Sequence, residues 1–444
     1  MSSLRLANRQ ATFKPLKVLD VELSEGVPPL GGLGSYGAAL ALVRWNGTPL
    51  SYVTVPLVNG ACSRGRLHQS IVETIGGPLT KHVLQERLAA GVGRDDVWTA
   101  PGEPDQTSEM PSMTIAVCTR NRTDDLRRCL EAIGLLDYPD LHVLVVDNDP
   151  ATDTTRQLVE QQFPHVAYAR EPRRGIDWAR NRAIKDARGD VIAFTDDDVV
   201  VDRGWAKSIG STFVEDDKIM AVTGLVVPLE LETWAQALFE DAGGFGRGFL
   251  RRWFRLALVT GTRNKTTQTL HLGPGRFGTG ANMAFRMRVF DIVGGFDPAM
   301  GAGTLTHGGD DLEMFFRVLE EGHTLVYDPG AIVRHRHRRD YEGLRAQLAS
   351  HGLAYYAFAI RSALAYPHRR AAFIRFGVAW FWRRNVRRLL HSYIRPGQFP
   401  RDLVWAELRG ALAGLVVYPR ARREACRLER SEHVRCRFGR RVSG

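Results

Sequence analysis

The sequence predicts an α/β fold: a mostly parallel sheet with crossover helices over residues 113–340, preceded by a small α+β module and followed by a basic helical region. Three observations predict it. From Met113 onward, short Val- and Ile-rich runs alternate with helix-patterned segments, as expected of strands covered on both faces. The runs end in polar clusters, and in such sheets the ligand lies beyond the carboxyl ends of the strands. The charge is also divided. The 444-residue chain carries +11, yet residues 331–444 hold 25 Arg, no Lys and 7 acids, or +18, leaving the first 330 residues at −7. With 44% hydrophobic and 25% charged residues, the composition excludes whole-chain disorder, collagen-like repeats and a coiled coil.

The first module covers residues 1–95. Residues 17–24 alternate like a strand, and two further apolar runs flank Asn46-Gly47, a hairpin signal. Apolar spacing over residues 66–90 is helical, with Gly76-Gly77-Pro78 expected to divide it into two short helices. Gly32 to Gly37 matches GxGxxG, but it follows Val27-Pro28-Pro29-Leu30 and not a strand, so it reads as a plain loop. Residues 96–112 have the Pro-, acid- and Ser-rich composition of a linker. The N-terminus lacks the apolar core of a signal peptide, and no run of 18 uncharged apolar residues predicts a transmembrane helix. Five scattered cysteines without metal spacing suit a reduced, cytoplasmic compartment.

In the α/β region, TIAVCT ends at Thr119-Arg120-Asn121-Arg122 and leads to a helix near Asp124. LHVLVVD ends at Asp147-Asn148-Asp149, with a helix from about Asp153. VAYAR is followed by a helix holding Arg180, and DVIAFTDDD ends at Asp196-Asp197-Asp198. Three adjacent acids repel one another unless a cation or a donor array neutralises them. Hard oxygen ligands at a pocket rim suit Mg²⁺ or Mn²⁺, and the alternative is an acidic turn before the helix near Trp205. Asp147 is placed to accept from a ribose hydroxyl or base N–H, or else to form an Asx-turn. Arg173, Arg174, Arg180 and Asn181 suit a diphosphate, or equally a solvated surface. A second acidic cluster, Asp310-Asp311, follows Gly308-Gly309 at a helix start, where it serves either as chemistry or as an ordinary acidic cap.

The ordered motifs VCTRNR, VVDND, GIDWARNRAI, FTDDDVV, GTGANMAFR, GGFD and GGDDLEMFFR resemble those of an inverting family 2 glycosyltransferase of the GT-A fold, over about residues 113–340. The resemblance implies that Asp147 contacts the nucleotide, with Thr119 and Arg120 bordering its pocket and Arg180 beside it. Asp196-Asp197-Asp198 stands at the family's DXD motif, which binds the metal and the donor diphosphate. It makes Asp311 the general base, with Asp310 beside it where Glu-Asp is commoner in the family. His335 matches a histidine that approaches the metal or diphosphate in some members. The implied reaction moves a sugar from a nucleotide-diphosphate sugar to a hydroxyl, in a bacterial-type setting of cell-surface polysaccharide or glycolipid assembly. A metal-dependent nucleotidyltransferase is the alternative enzyme, although no Gly-rich triphosphate loop precedes the first helix of the α/β region.

Residues 341–444 interleave arginines with aromatics, as in Tyr355-Tyr356 and Trp380-Phe381-Trp382-Arg383-Arg384. That pattern fits amphipathic helices on an anionic membrane surface, which suits a glycan, lipid-linked or glycolipid acceptor and a peripheral place on the inner face of the cell membrane. The alternative is a helical subdomain packed on the catalytic core. No nucleic-acid module accompanies the basic segment, so no nucleic-acid partner is expected.

Overall fold

The computed structural model describes residues 12–89, 110–255, 273, 275–394 and 399–439, with backbone alone for 78–79, 81–89 and 431–439. Most of the expected linker, residues 96–109, lies outside the described residues.

Strands β1 (Leu16–Glu22), β2 (Ala38–Trp45) and β3 (Thr48–Pro56) form a three-stranded sheet, with β1 parallel and β3 antiparallel to β2. The hairpin turns on Asn46 (φ 48°) and Gly47 (φ 76°), the positive values that a two-residue hairpin requires. Helix α1 (Arg64–Ala89) covers this sheet through Leu67, Ile71 and Ile75. It runs unbroken through Gly76-Gly77-Pro78, correcting the expected division into two helices. A Cβ at Gly77 would meet nothing within 4 Å, so no packing penalises that turn. The Gly32–Gly37 segment is a loop.

The large sheet has nine strands. They are β4 (Met113–Thr119), β5 (Leu141–Asn148), β6 (Ala167–Glu171), β7 (Val191–Asp196), β8 (Val199–Val201), β9 (Ile219–Pro228), β10 (Arg252–Phe254), β11 (Asn282–Arg286) and β12 (Thr324–His335). Their order is β10-β12-β9-β11-β7-β4-β5-β6, with β8 paired to β12. The β7-β4-β5-β6 half is parallel, as is the pair of β12 with β9. Strand β11 enters antiparallel to both neighbours, and β8 and β10 are antiparallel to β12.

Helices α2 (Thr123–Ile133), α3 (Thr154–Gln162) and α5 (Trp205–Glu215) cover one face of this sheet. Helices α4 (Ile176–Asp186), α7 (Val289–Val293) and α8 (Asp310–Glu320) cover the other. Helix α6 (Trp234–Asp241) follows β9 and opens on a capping box between Thr233 and Gln236. Burial on both faces explains the continuous apolar runs: Val191 to Phe194 are all within 2% of full burial.

The small sheet docks through Leu42 onto Leu225, Val227 and Ile332. Beside this contact, Arg44 Nη2 donates to Asp202 Oδ2 at 2.5 Å, and Arg334 bridges Asp202 and Asp20. The C-terminal region folds as α9 (Tyr341–Ala365), α10 (Arg370–Trp380), a π-helical turn (Phe381–Val386), α11 (Arg387–Ile394) and α12 (Arg401–Gly439). Helices α9 and α12 approach closely enough that a Cβ on Gly410 would stand 1.9 Å from the Ala349 carbonyl oxygen. Phe316 of α8 packs on Phe358 and Phe373, joining these helices to the large-sheet domain. No helix among the described residues is long and apolar enough to cross a membrane.

Candidate active site

Strand register brings the polar clusters level. Thr119 pairs with Asp147 across β4–β5, and Cys118 pairs with Asp196 across β4–β7. His335 pairs with Val199 across β12–β8, which sets its ring beside Asp198 although 137 residues separate them in sequence. A cavity of about 1140 Å³ opens over these strand ends. Thr119, Arg120, Arg180, Asp196, Asp197, Asp198, Asp310, Asp311 and His335 all line it.

Asp147 does not line this cavity; Asn148 does. Alternation along β5 buries Asp147, where Tyr168 Oη donates to its Oδ2 at 3.1 Å and its Oδ1 has no partner. Burial pushes its pKa up. Asn148 bridges the rim instead, donating to the Arg173 carbonyl oxygen at 2.7 Å and accepting from the Gly175 N–H at 2.9 Å. Arg120 sits half-exposed at the edge, paired with Asp149 at 3.0 Å.

The three consecutive acids point to different partners. Asp197 is buried, accepting from Thr119 Oγ1 at 2.7 Å and from Arg122 Nη1 at 3.1 Å. Asp198 shares that Arg122 nitrogen at 3.1 Å, and its other oxygen lies 3.4 Å from His335 Nε2. Burial and mutual repulsion push Asp196 up to about 7 and Asp197 up to about 6. Burial pushes His335 down to about 4, so its imidazole is neutral and its nitrogen lone pair is available. One donor atom each from Asp196, Asp198 and His335 lies within 4.8 Å of the others. Two carboxylate oxygens and a neutral imidazole fit Mn²⁺ or Mg²⁺ chemistry.

Across the cavity, Gly309 adopts φ 85° and starts α8, placing Asp310 and Asp311 in its first turn. Asp311 Oδ1 accepts from the Leu312 N–H at 2.8 Å and Oδ2 from the Gly280 N–H at 2.9 Å. A Cβ on Gly280 would come within 2.8 Å of Arg180 Nη2, so a side chain there would displace the guanidinium. Burial, then the neighbouring Asp310, raises Asp311 to about 6.

Arg180 is buried and ties the two halves together. Its Nη1 donates to Asp177 Oδ1 at 3.3 Å on its own helix and also to Asp310 on α8. Asp177 and Arg122 are the residues that motif reading left without a role. Asp177 sits in the GIDWARNRAI motif, three positions before Arg180, a spacing that pairs residues on a helix. Arg122 stands in the polar cluster after β4, but its two carboxylate partners appear only when β4 and β7 pair.

The mostly parallel α/β sheet with its carboxylates gathered at the strand ends is the architecture that the GT-A resemblance of the sequence implies. Residues 114–292 match the sequence profile of Glycosyl transferase family 2. The chain is similar to a pre-mycofactocin glycosyltransferase of Mycobacterium tuberculosis, with 24% identity over 267 residues covering 60% of this chain and 51% of that one. It is also similar to a glucosyl-dolichyl phosphate glucuronosyltransferase of Haloferax volcanii, 25% identical over 50% of this chain and 69% of the relative. The match spans about half the length of the mycobacterial relative. Among solved structures, a mannosyltransferase from Pyrobaculum calidifontis in complex with GDP-Man and Mn²⁺ covers 80% of this chain and 98% of its own, with 20% identity and a TM-score of 0.45.

Replacing Arg180 with Met would leave the Asp177 and Asp310 carboxylates buried without their cation, a loss of about 3–5 kcal/mol. Burial already holds Asp177 well above the usual carboxylate range, so its ionised form opposes folding once the cation is gone. The deficit therefore grows as pH rises from 5 to 8 and shrinks as the carboxylates take up protons. Urea unfolding of wild type and Arg180→Met at both pH values measures it; equal deficits would contradict this role.

Proposed function

We propose that this chain transfers a glycosyl unit from a nucleotide-diphosphate sugar to an acceptor hydroxyl, inverting the anomeric carbon. One observation carries the reading: Asp311, held through both oxygens by backbone N–H groups, shares a cavity with the Asp196–Asp198–His335 cluster. A base for the acceptor and a cation-competent cluster for the diphosphate therefore stand at one centre.

In this reading Asp311 accepts the acceptor's hydroxyl proton as that oxygen attacks C1. The bond from C1 to the diphosphate oxygen breaks, and the nucleoside diphosphate leaves with the bonding pair. A single displacement inverts C1, by the stereochemical logic that separates inverting from retaining hydrolases. Mn²⁺ or Mg²⁺ held by Asp196, Asp198 and His335 would offset the charge developing on the diphosphate. Arg122 keeps Asp197 and Asp198 oriented from the β4 side, and Arg180 fixes α8 so that Asp311 faces the cavity. The released product is a nucleoside diphosphate, whereas a nucleotidyltransferase would release pyrophosphate.

The acceptor is a glycan or a lipid-linked glycan, met at the inner face of a cell membrane. Ile374, Val378 and Trp382 recur every fourth residue and are 64%, 66% and 58% exposed; Leu390 and Ile394 continue the stripe. The exposed Arg370, Arg375, Arg383 and Arg387 lie alongside. Apolar side chains flanked by arginines suit a headgroup layer of anionic lipid.

Asp311→Asn is expected to lower transfer by about 10²-fold or more while leaving nucleotide affinity unchanged. Because the base must be ionised, wild-type transfer should fall as pH drops below about 6, the value to which burial raises Asp311. A steady-state pH profile and nucleotide calorimetry on both proteins check this, and normal turnover by the variant would remove Asp311 from the mechanism. For the membrane surface, wild type should sediment with phosphatidylglycerol vesicles, and Ile374→Asp/Val378→Asp should not. Equal sedimentation of the two would overturn that part.

A further inference from the structure

The cavity is larger than the donor site and continues into the C-terminal helices. Beyond Asp311 its wall is made by α9, α10, the π-helical turn and α12. The two parts adjoin directly: a Cβ on Gly309, next to Asp310, would stand 2.6 Å from the Ala354 carbonyl oxygen of α9. The part of α9 around Ala354 therefore lies beside the first turn of α8, and the same cavity runs on along α9.

The far lobe is lined by Gln347, His351, Trp380, Arg384, Asn385 and Glu407. Two of these carry unmet hydrogen-bonding capacity. Asn385 is 3% exposed, and its Nδ2 has no partner; the buried Oε1 of Gln347 has none either. Unpaired buried polar groups are costly, so their presence in a cavity wall marks a place for a ligand. The surroundings are rigid. Glu407 is clamped by Arg384 at 2.8 Å and Arg388 at 2.9 Å. Asn385 lies in the π-helical turn, a local irregularity often found at functional sites.

The chemistry of the two unmet groups selects the ligand. Asn385 offers a donor and Gln347 an acceptor. A phosphate oxygen would satisfy only the first, whereas hydroxyl groups both accept and donate. Trp380 supplies an aromatic surface for the C–H face of a ring, and Tyr355, which also lines the cavity, lies tilted beside it at 5.8 Å between centroids. We infer that the lobe formed by Gln347, Trp380 and Asn385 is a saccharide subsite that holds a sugar ring of the acceptor beside Asp311. This deepens the transfer reading and rests on it for the word acceptor. The basic C-terminal segment is then part of the active site as well as a surface.

The test uses the full chain and simple saccharides. Saturation-transfer NMR is recorded with methyl α- and β-glucosides, galactosides and mannosides and with maltose and cellobiose. Inorganic phosphate and glycerol 3-phosphate are run by calorimetry, and UDP and GDP with Mn²⁺ serve as the separate donor-site readout. At least one saccharide should bind wild type and bind Asn385→Leu and Gln347→Leu about five-fold or more weakly, the loss of one hydrogen bond each. Nucleotide binding by the variants certifies their fold, and if one variant is unfolded the other decides. Saccharide binding unchanged in a folded variant, or absent from wild type that binds a nucleotide, overturns the subsite. Phosphate binding that the variants weaken overturns it in favour of a lipid phosphate. Saccharide binding without any nucleotide binding keeps the subsite and removes the transfer reading.

Discussion

Six carboxylates, those of Asp177, Asp196, Asp197, Asp198, Asp310 and Asp311, crowd around two arginines at the strand ends, and the domain is arranged to hold them there. Carboxylates this close raise one another's pKa and oppose folding unless cations and donors compensate. Arg180 does so from inside, spanning Asp177 and Asp310, while Arg122 meets Asp197 and Asp198 from the β4 side. The Gly280 and Leu312 N–H groups stabilise Asp311 without occupying all its lone pairs. The compensation is partial: Asp196, Asp197 and Asp311 keep raised pKa values. In the proposed reaction, that residual electrostatic strain would favour binding a cation and, through it, an anionic diphosphate.

The helical C-terminal region belongs to the same arrangement. Several of its arginines are not free charge. Arg361 contacts Asp297 and Glu313, Arg369 meets Glu320, and Arg384 and Arg388 share Glu407. Two of these pairs reach back to α8, the helix that presents Asp311, so the basic segment braces that helix as it walls the cavity. Exposed Arg370, Arg375, Arg383 and Arg387 lie along the apolar stripe of α10 and α11, while Arg409, Arg420 and Arg423 are exposed on α12.

Much of this was legible in the sequence, for definite reasons. Strands β4, β5 and β7 end within a residue or two of where apolar runs meet polar and charged residues, because a strand buried on both faces carries few such groups before its end. Asn46-Gly47 announced the hairpin because few residue pairs accept two positive φ values. The motif at Asp310-Asp311 could be placed at a helix start from Gly308-Gly309. Other features had no local signal. The antiparallel entry of β11 depends on which neighbours it finds, and the continuity of α1 through Pro78 depends on an exposed turn that packing leaves alone. The burial of Asp147 follows from strand alternation, and sequence adjacency to Asn148 conceals which of the two lines the cavity. The far wall unites Gln347, Asn385 and Glu407 only through the packing of α9 and the π-helical turn against α12.

The most direct test of this account is a thermal-unfolding panel with UDP, GDP, TDP and CMP, with and without Mn²⁺, on wild type and Asp198→Asn. The crowded carboxylates should make nucleotide binding depend on the cation. A rise in Tm for at least one nucleoside diphosphate only when Mn²⁺ is present, lost in Asp198→Asn, is the predicted result. A rise that is indifferent to Mn²⁺, or no rise with any nucleotide, would contradict it.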